Sequence, residues 1–337
     1  MTGVTTLTLG LTRLEALQEA AKVTEWIAER LPTWVGSWVA SLWIAVAFFA
    51  ISMLCMTFLF LLLQRILPKV TAIAWVTAKE SIWQPLFTVI ILFGLAALFL
   101  FLFLPYNTFG EDVGIVKSEG QILIKLLAVI LAVWTASVSV SDEIEGKTAL
   151  MTLSKPVGRA QFILGKYLGV AIPVALVFIM LGTFFLGSIS YKIVYDARES
   201  ASLAPEAFIC GMSMIQVLPG LSLHFMETMM LAAIAVMIST RLPMIPNMII
   251  CMTIYALGHL VPQIVATSAG EIAFVAFLGQ LMSVIIPSFS LLDTETANVT
   301  NQMLPLSYIF WAGLWASIYC TAVVLLSLVL FEDRDLA

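Results

Sequence analysis

Charged residues are scarce in this chain: only 11% of its 337 residues are Asp, Glu, Lys or Arg, whereas 61% are hydrophobic. A water-soluble domain cannot bury that much apolar surface, so the bilayer must be the solvent for most of the chain. Helices satisfy their own backbone hydrogen bonds in lipid, and the sequence therefore predicts an all-α polytopic membrane protein. The net charge of −5 and the scattered basic residues give no sign of a nucleic-acid partner.

Cysteine and histidine are also rare, with four and two residues respectively. The cysteines are far apart without Cys-x-x-Cys spacing (Cys55, Cys210, Cys251, Cys320). Three of them lie in apolar runs, where cysteine behaves as a small hydrophobe. The histidines lie on different predicted helices and make a weak metal site. We therefore expect neither a disulfide nor a metal centre. The N-terminus lacks a positively charged start and a cleavage motif, so we expect no signal peptide.

The sequence has no phosphate-binding loop of the Walker A type. The nearest approach, Gly110 to Ser118, lacks the Gly-Lys-Ser/Thr ending, and it does not lie between a strand and a helix. No serine, histidine and aspartate set or pair of carboxylates is placed for catalysis within the apolar runs. We therefore expect a protein that is not an enzyme and holds no nucleotide of its own.

Seven apolar runs are long enough to cross a bilayer. We predict spans at 34–63, 86–104, 121–140, 162–190, 221–239, 245–265 and 308–331. Residues 1–33 contain an amphipathic helix from Leu14 to Leu31. Loops are expected at 105–120 and 191–206, and Pro219-Gly220 is expected to break the helix after 207. The run from Ile272 to Ile286 is short, and is either a re-entrant or surface helix or a short span.

Lysine and arginine are concentrated in three of the loops, at 64–83, 141–166 and 240–247. The other loops, at 105–120, 191–206 and 268–307, hold only Lys117, Lys192 and Arg198. Because basic loops stay in the cytoplasm, the first set is predicted to be cytoplasmic and the second external. Alternation of seven spans then puts the N-terminus outside and the C-terminus inside, with 272–286 on the outer side.

Two polar pairs interrupt the apolar runs: His224 with Glu227, and His259 with Gln263. Residues three apart share one helix face, so His224 and Glu227 should lie together. Ionisable groups inside a membrane usually face a bundle interior or a cavity. They could contact a substrate or relay a proton or metal ion. Alternatively, they could form an interhelical hydrogen bond, which is the usual fate of buried polar groups.

One long polar island, from Ser141 to Gly169, lies between two apolar runs. It begins with acidic residues, and Gly146 then permits a chain reversal before Thr148 can cap a short helix. Lys155-Pro156 ends that helix, because a residue before proline is disfavoured in the α conformation. The short helix would expose Leu150, Met151 and Leu153 beside charged groups, a pattern typical of a binding surface.

This island resembles the signature of the ABC-2 type permeases, the membrane subunits of a class of ABC exporters. That signature has an acidic residue, then G-T-L-x-x-L-L-[ST]-K-P-[VI]-x-R, then an apolar residue and G-K-[YF]-[LI]-G. The chain departs from it by an inserted Lys147 and by Ala149 in place of leucine. The matching residues are Glu143 or Glu145, Gly146, Thr148, Leu150, Leu153, Ser154, Lys155, Pro156, Val157, Arg159, Phe162, Gly165, Lys166, Tyr167, Leu168 and Gly169.

The resemblance implies a six-span permease domain at 72–337, preceded by one extra transmembrane helix at 34–63. It also implies an outer re-entrant or surface helix before the last span. In the family, the loop at 141–161 carries a coupling helix that docks onto a separate ATPase subunit, which binds the ATP and magnesium. The residues implied in coupling are Glu143, Glu145, Gly146, Thr148, Leu150, Leu153, Lys155, Pro156 and Arg159. A second permease copy, identical or different, and a bacterial cytoplasmic membrane are implied as well.

Two other functions remain open at this point. An ion-coupled secondary transporter would use Glu227 and His224, but it would leave the loop signature unexplained. A membrane anchor for an ATPase would carry the signature without moving a substrate. Within the family, the layout and the segment Ile286–Asp293 (IPSFSLLD) also resemble the permeases associated with copper-enzyme maturation.

Overall fold

A computed structural model describes residues 33–104, 112–145, 158–266, 287–294, 297–298 and 302–332, together with positions 277 and 281. These residues form helices and connecting segments, without a β-strand among them. The helices are α1 (Thr33–Ser41), α2 (Trp43–Ile66), α3 (Pro68–Trp83), α4 (Pro85–Phe101), α5 (Asp112–Glu145), α6 (Arg159–Glu199), α7 (Ala207–Ser239), α8 (Met244–Ala266) and α9 (Leu306–Glu332), with a 3₁₀ turn at Phe289–Leu292.

Within the described part of the chain, six helical stretches are long and apolar enough to cross a membrane: Val35–Ile66, Asp112–Val140, Arg159–Glu199, Ala207–Ser239, Met244–Gln263 and Leu306–Phe331. Helices α3 and α4 satisfy the same criteria when they are taken together, with a bend of 62° between them, and they could form a seventh crossing. The bend follows from sequence, since Pro85 begins α4 and Gln84 before it is extended. An all-helical polytopic fold is thus confirmed.

The buried centre of the bundle consists of α5, α6 and α7. In α7, 72% of the most apolar stretch is buried, against 0% in α1–α2. Large apolar side chains on α2, α4 and α9 point outward instead, among them Phe58, Phe93 and Trp311. This distribution is expected where lipid replaces water as the solvent of the outer surface.

Contacts near the helix ends group the basic segments at one end of the bundle. Phe331, at the end of α9, stacks on Phe162 at the start of α6, with ring centroids 5.7 Å apart. Near the start of α8, Asn247 donates from Nδ2 to Ser137 Oγ, close to the end of α5, at 2.9 Å. At the opposite end, Tyr308 donates to the carbonyl of Leu291. Helix α8 therefore ends, and α9 begins, at that opposite end.

Helix α3 packs against the first turns of α6 at very short range. A Cβ built on Gly165 would lie 2.7 Å from Ile73 Cβ and 3.1 Å from the Val70 carbonyl oxygen. One built on Gly169 would lie 2.6 Å from Thr77 Cβ and 3.0 Å from the Ala74 oxygen. The Gly-x-x-x-Gly spacing therefore brings two helix backbones together, as small residues do between membrane helices.

Three helices, α5, α6 and α7, are longer than the apolar runs from which they were predicted. Helix α5 begins at Asp112 inside the loop expected at 105–120, and α6 continues to Glu199 through most of the loop expected at 191–206. Consequently Lys117 and Lys192, expected in those loops, are buried helix residues. The expected break at Pro219-Gly220 is also wrong, because α7 is one helix from Ala207 to Ser239. Neighbouring helices pack against this site, which lets a membrane helix tolerate an internal proline.

Several expectations fall outside the described residues. The amphipathic helix at 14–31 and the run at 272–286, except for positions 277 and 281, are among them. The described residues also omit 146–157, which contain most of the signature loop. The domain boundaries at 33, 63 and 72 are not tested by the helix bounds and stay predictions.

Candidate functional site

A carboxylate, Glu227, is completely buried near the middle of α7. Its Oε2 lies 3.4 Å from Lys125 Nζ on α5 and 3.5 Å from His224 Nδ1, one turn earlier on α7. Its Oε1 lies 3.2 Å from His259 Nε2 on α8. We call these four residues the Glu227 cluster. At 1.5 Å per residue, Glu227 lies about 18 Å from the end of α7 at Ser239, and so within the depth of a hydrocarbon core of about 30 Å.

The contacts to Glu227 are at ion-pair distance but lack hydrogen-bond geometry at either carboxylate oxygen. Lys125 instead makes a hydrogen bond of 3.3 Å with His259 Nε2. The other ring nitrogen of His259, Nδ1, lies 3.2 Å from the carbonyl oxygen of Tyr255. If Nδ1–H donates to that carbonyl, Nε2 is free to accept from Lys125. Lys125 thus supplies a positive charge beside the carboxylate.

A second polar layer adjoins the Glu227 cluster on the side of the 3₁₀ turn. Thr294 donates from Oγ1 to Gln121 Oε1 at 2.9 Å, and Asn298 donates from Nδ2 to the same oxygen at 2.6 Å. Gln121 donates from Nε2 to the carbonyl of Val217 at 2.9 Å. Thr294 Oγ1 also lies 3.4 Å from His224 Nε2, which joins the two layers. We call Gln121, Thr294 and Asn298 the cap layer.

The facing surfaces of α5 and α7 carry matched polar side chains. On α5, Lys117, Gln121 and Lys125 are spaced four residues apart and therefore lie on one helix face. Lys117 donates from Nζ to Gln216 Oε1 on α7 at 3.1 Å. Gly220 makes room for Gln121, because a Cβ at that position would lie 2.4 Å from Gln121 Nε2. The two helices thus share a polar seam that begins near the cap-layer end and stops at Glu227.

The structure brings together some of the residues that the sequence singled out. His224 and Glu227 lie side by side, as their spacing predicted. The pairing of His259 with Gln263 is wrong, because His259 contacts Glu227 and Gln263 is exposed. Lys125 was missed, although a lysine inside an apolar run is itself an unusual signal. Thr294 and Asn298 carry no such signal, because their partner Gln121 is distant in sequence.

The predicted coupling residues are only partly within the described part of the chain. Arg159 begins α6 and is exposed, and the Gln161 side chain accepts from the Gly158 N–H at 3.2 Å at the same helix start. Glu143 and Glu145 belong to the last turn of α5, whose side chains are outside the description. The remaining coupling residues also lie outside it: Gly146, Thr148, Leu150, Leu153, Lys155 and Pro156.

Among the described residues, no group of three or more His, Cys, Asp or Glu side chains is arranged to hold a metal ion. The Glu227 cluster pairs a buried carboxylate with a buried lysine. Such an arrangement can bind a charged group, and it can hold neighbouring helices together. Both properties suit a transport route.

Comparison with known proteins completes the assignment. The model of the family described as ABC-2 family transporter protein matches residues 106–336, more than half of the chain. No curated protein matches the chain significantly. The match covers α5 to α9, and therefore the polar seam and the signature loop. The chain belongs to the ABC-2 family of transporter proteins and is a multi-pass membrane permease of an ABC transporter, a role that implies an ABC ATPase subunit as partner.

Proposed function

We propose that the chain is the permease of an exporter that couples ATP hydrolysis by the separate ATPase to movement of a substrate across the membrane. The coupling element is the loop at 141–161, and two permease copies, identical or different, assemble with two ATPases in a bacterial cytoplasmic membrane. The end of the bundle that carries the basic segments faces the cytoplasm.

The observation that carries this proposal is the rigid packing at the start of α6. The signature loop runs directly into α6 at Arg159, and α6 rests on α3 through Gly165 and Gly169. Contacts this close leave no room for the two helices to slide independently. A force on the loop would therefore move α3 and α6 as one body.

The same loop is joined on its other side to α5, which carries Lys125 and the polar seam. ATP-driven closure of the ATPase dimer would displace the loop and shift α5 relative to α7. The coupling free energy comes from the different affinities of the two permease states for the closed ATPase. Loop movement at one end of α5 thus reaches the Glu227 cluster through a continuous helix.

Within the loop, we assign roles by side-chain chemistry. Leu150 and Leu153 fill an apolar groove of the ATPase, and Glu143, Glu145, Lys155 and Arg159 form ion pairs at its rim. Gly146, Thr148 and Pro156 shape the short helix by reversing, capping and ending it. His224 and Glu227 belong to the substrate pathway.

Co-purification of the tagged chain with the ABC ATPase encoded nearest to it tests the docking. The variant Leu150→Asp/Leu153→Asp should lose the ATPase while still inserting into the membrane, since charges replace the apolar contact. Leu203→Asp is the matched control, because Leu203 is 94% exposed at the opposite end of the bundle and should be neutral. Undiminished binding by the loop variant would refute the docking role.

A second function, ion-coupled transport without an ATPase, is favoured by one observation: Glu227 is fully buried beside Lys125 and two histidines. It predicts uptake or efflux in vesicles that contain the chain alone and carry an ion gradient. Transport that requires ATP and the ATPase would exclude this function. ATPase binding without any ATP-dependent transport would favour the anchor instead.

A further inference from the structure

The Glu227 cluster and the cap layer join four parts of the chain that are distant in sequence. Helices α5, α7 and α8 supply the cluster, and the segment after the 3₁₀ turn supplies Thr294 and Asn298. Phe289 in that turn is fully buried and lies near the His259 ring, with centroids 5.6 Å apart. Movement of any one part away from the others must therefore break polar contacts in both layers.

Both layers lie in the half of the bundle that is predicted to face the outside, where the outer half of a transport route would be. The 3₁₀ turn lies at the end of the bundle opposite the signature loop, where α8 ends and α9 begins. The seam extends inward from there to Glu227, and beyond Glu227 the buried residues of both helices are mainly apolar or small, such as Ala128 on α5 and Ala232 on α7. Among the described residues of these two helices, the buried charged side chains are thus confined to one half of the interface.

Burial of these polar groups costs desolvation free energy. A role other than stability would explain why the protein keeps them there. An ion pair in a dry interior usually contributes little net stability, because desolvation offsets its attraction. The carboxylate here also lacks hydrogen-bond geometry to its partners. Contacts without hydrogen-bond geometry separate more easily than directed hydrogen bonds, which suits an arrangement that must open in each transport cycle.

We propose that the interface between α5 and α7 is the outer part of the route for a hydrophilic substrate, and that the Glu227 cluster is its closed gate. The proposal rests on the proposed function of the chain as an exporter permease. When α5 and α7 separate, Lys117, Gln121 and Lys125 face Gln216 and Glu227 across a polar passage. That lining matches a polar or charged substrate and would repel a lipid tail.

The gate can be tested by the accessibility of a cysteine placed behind it. Ala128 is buried one turn beyond Lys125 on α5, and Ala128→Cys would serve as the reporter in a chain whose four native cysteines are replaced by alanine. A charged, membrane-impermeant maleimide is added from the outside of cells. The reagent is itself hydrophilic, so labelling shows that a hydrophilic molecule can pass the cluster.

In a protein with an unmodified Glu227 cluster, the closed gate should protect the reporter at position 128 from labelling. Glu227→Gln or Lys125→Met leaves the partner charge without compensation and should raise the labelling rate at least about tenfold, the effect of a shift of about 1.4 kcal/mol in the opening equilibrium. Lys125→Arg keeps the charge and should stay protected. Asn247→Ala is the matched control, because it removes buried hydrogen bonds to Ser137 and Ala235 at the other end of the bundle.

Labelling that stays low in Glu227→Gln and Lys125→Met, with both proteins recovered folded, would overturn the gate. Equal labelling of Asn247→Ala and Glu227→Gln would also overturn it, since general loosening would then be the cause. If the cluster variants do not fold, the Ala128→Cys reporter alone decides the question. In the complex with the ATPase, its labelling should rise when ATP is bound, and an unchanged rate would refute the proposal.

This design separates the gate from the proposed function. Reporter protection and its loss in the cluster variants are measured without the ATPase, so they do not depend on docking of the loop. A chain that binds the ATPase through Leu150 and Leu153 but shows no gated labelling would keep the proposed function and lose the gate. Gated labelling in a chain that binds no ATPase would support the gate in an ion-coupled transporter.

Discussion

Replacing Gly169 by alanine should separate α3 from α6 and weaken both folding and coupling. The added Cβ would lie 2.6 Å from Thr77 Cβ and 3.0 Å from the Ala74 carbonyl oxygen. Carbon atoms in contact prefer about 3.5–4.0 Å, so the helices would have to move apart by about 1 Å. Neither neighbour is the flexible end of a long side chain, and the strain cannot be relieved by a rotamer change. Overpacking of this kind costs about 1–3 kcal/mol.

Gly187→Ala on the same helix is the matched control for this prediction. A Cβ at Gly187 would meet its nearest atom, Leu42 Cδ2, at 3.5 Å, which is ordinary contact. Both variants gain about 1 kcal/mol of helix propensity, because alanine replaces glycine inside α6. The difference between them therefore isolates the steric effect of the α3 contact.

The assay is thermal unfolding of the detergent-solubilised protein, followed by ATP hydrolysis of the complex with the ATPase. We expect Gly169→Ala to unfold at a lower temperature than Gly187→Ala, and Gly165→Ala to behave like Gly169→Ala, because its Cβ would lie 2.7 Å from Ile73 Cβ. If α3 and α6 move as one body in the proposed coupling, ATP hydrolysis by the complex should also fall. Equal stability of Gly169→Ala and Gly187→Ala would refute the close packing and the transmission argument that depends on it.

Two further predictions concern the buried polar groups. Gly220→Ala should destabilise the protein because its Cβ would meet Gln121 Nε2 at 2.4 Å, and Gln121→Ala should relieve part of that cost in the double variant; additive losses in thermal unfolding would argue against the contact. Asn247→Ala should cost about 1–3 kcal/mol, since Asn247 donates to Ser137 Oγ at 2.9 Å and to the Ala235 oxygen at 3.1 Å. Thr253→Ala, an exposed change on the same helix, should be nearly neutral, and an equal effect of the two would contradict this account.

The sequence predicted the membrane fold well because hydrophobicity and span length are properties of single segments. The prediction was wrong where contacts with neighbouring helices determine the structure. Pro219 does not break α7, because packing against other helices supports the chain there. The ends of α5 and α6 were misplaced because Lys117 and Lys192 are buried against partners that hydropathy does not reveal, namely Gln216 and Asp196.

The candidate site could also be predicted only within single helices and not between them. The spacing of His224 and Glu227 predicted their contact, since both lie on one helix face. The partners from other helices, Lys125 and His259, could be suspected as polar residues in apolar runs but could not be assigned to Glu227. A pairing between helices depends on how they rotate and cross, and one sequence does not specify this.

The placement of the charges also bears on how the permease could be driven. The signature loop and the Glu227 cluster lie toward opposite ends of α5, and Lys125 is about 22 Å along that helix from Val140. A lever of this length converts a small tilt at the loop into a displacement at Lys125, where the ion pair to Glu227 spans 3.4 Å. Because attraction between charges falls with distance, a displacement of a few ångströms would weaken the pair substantially. On the proposed coupling, the ATPase needs only to tilt α5, and no contact between the nucleotide site and the proposed gate is required.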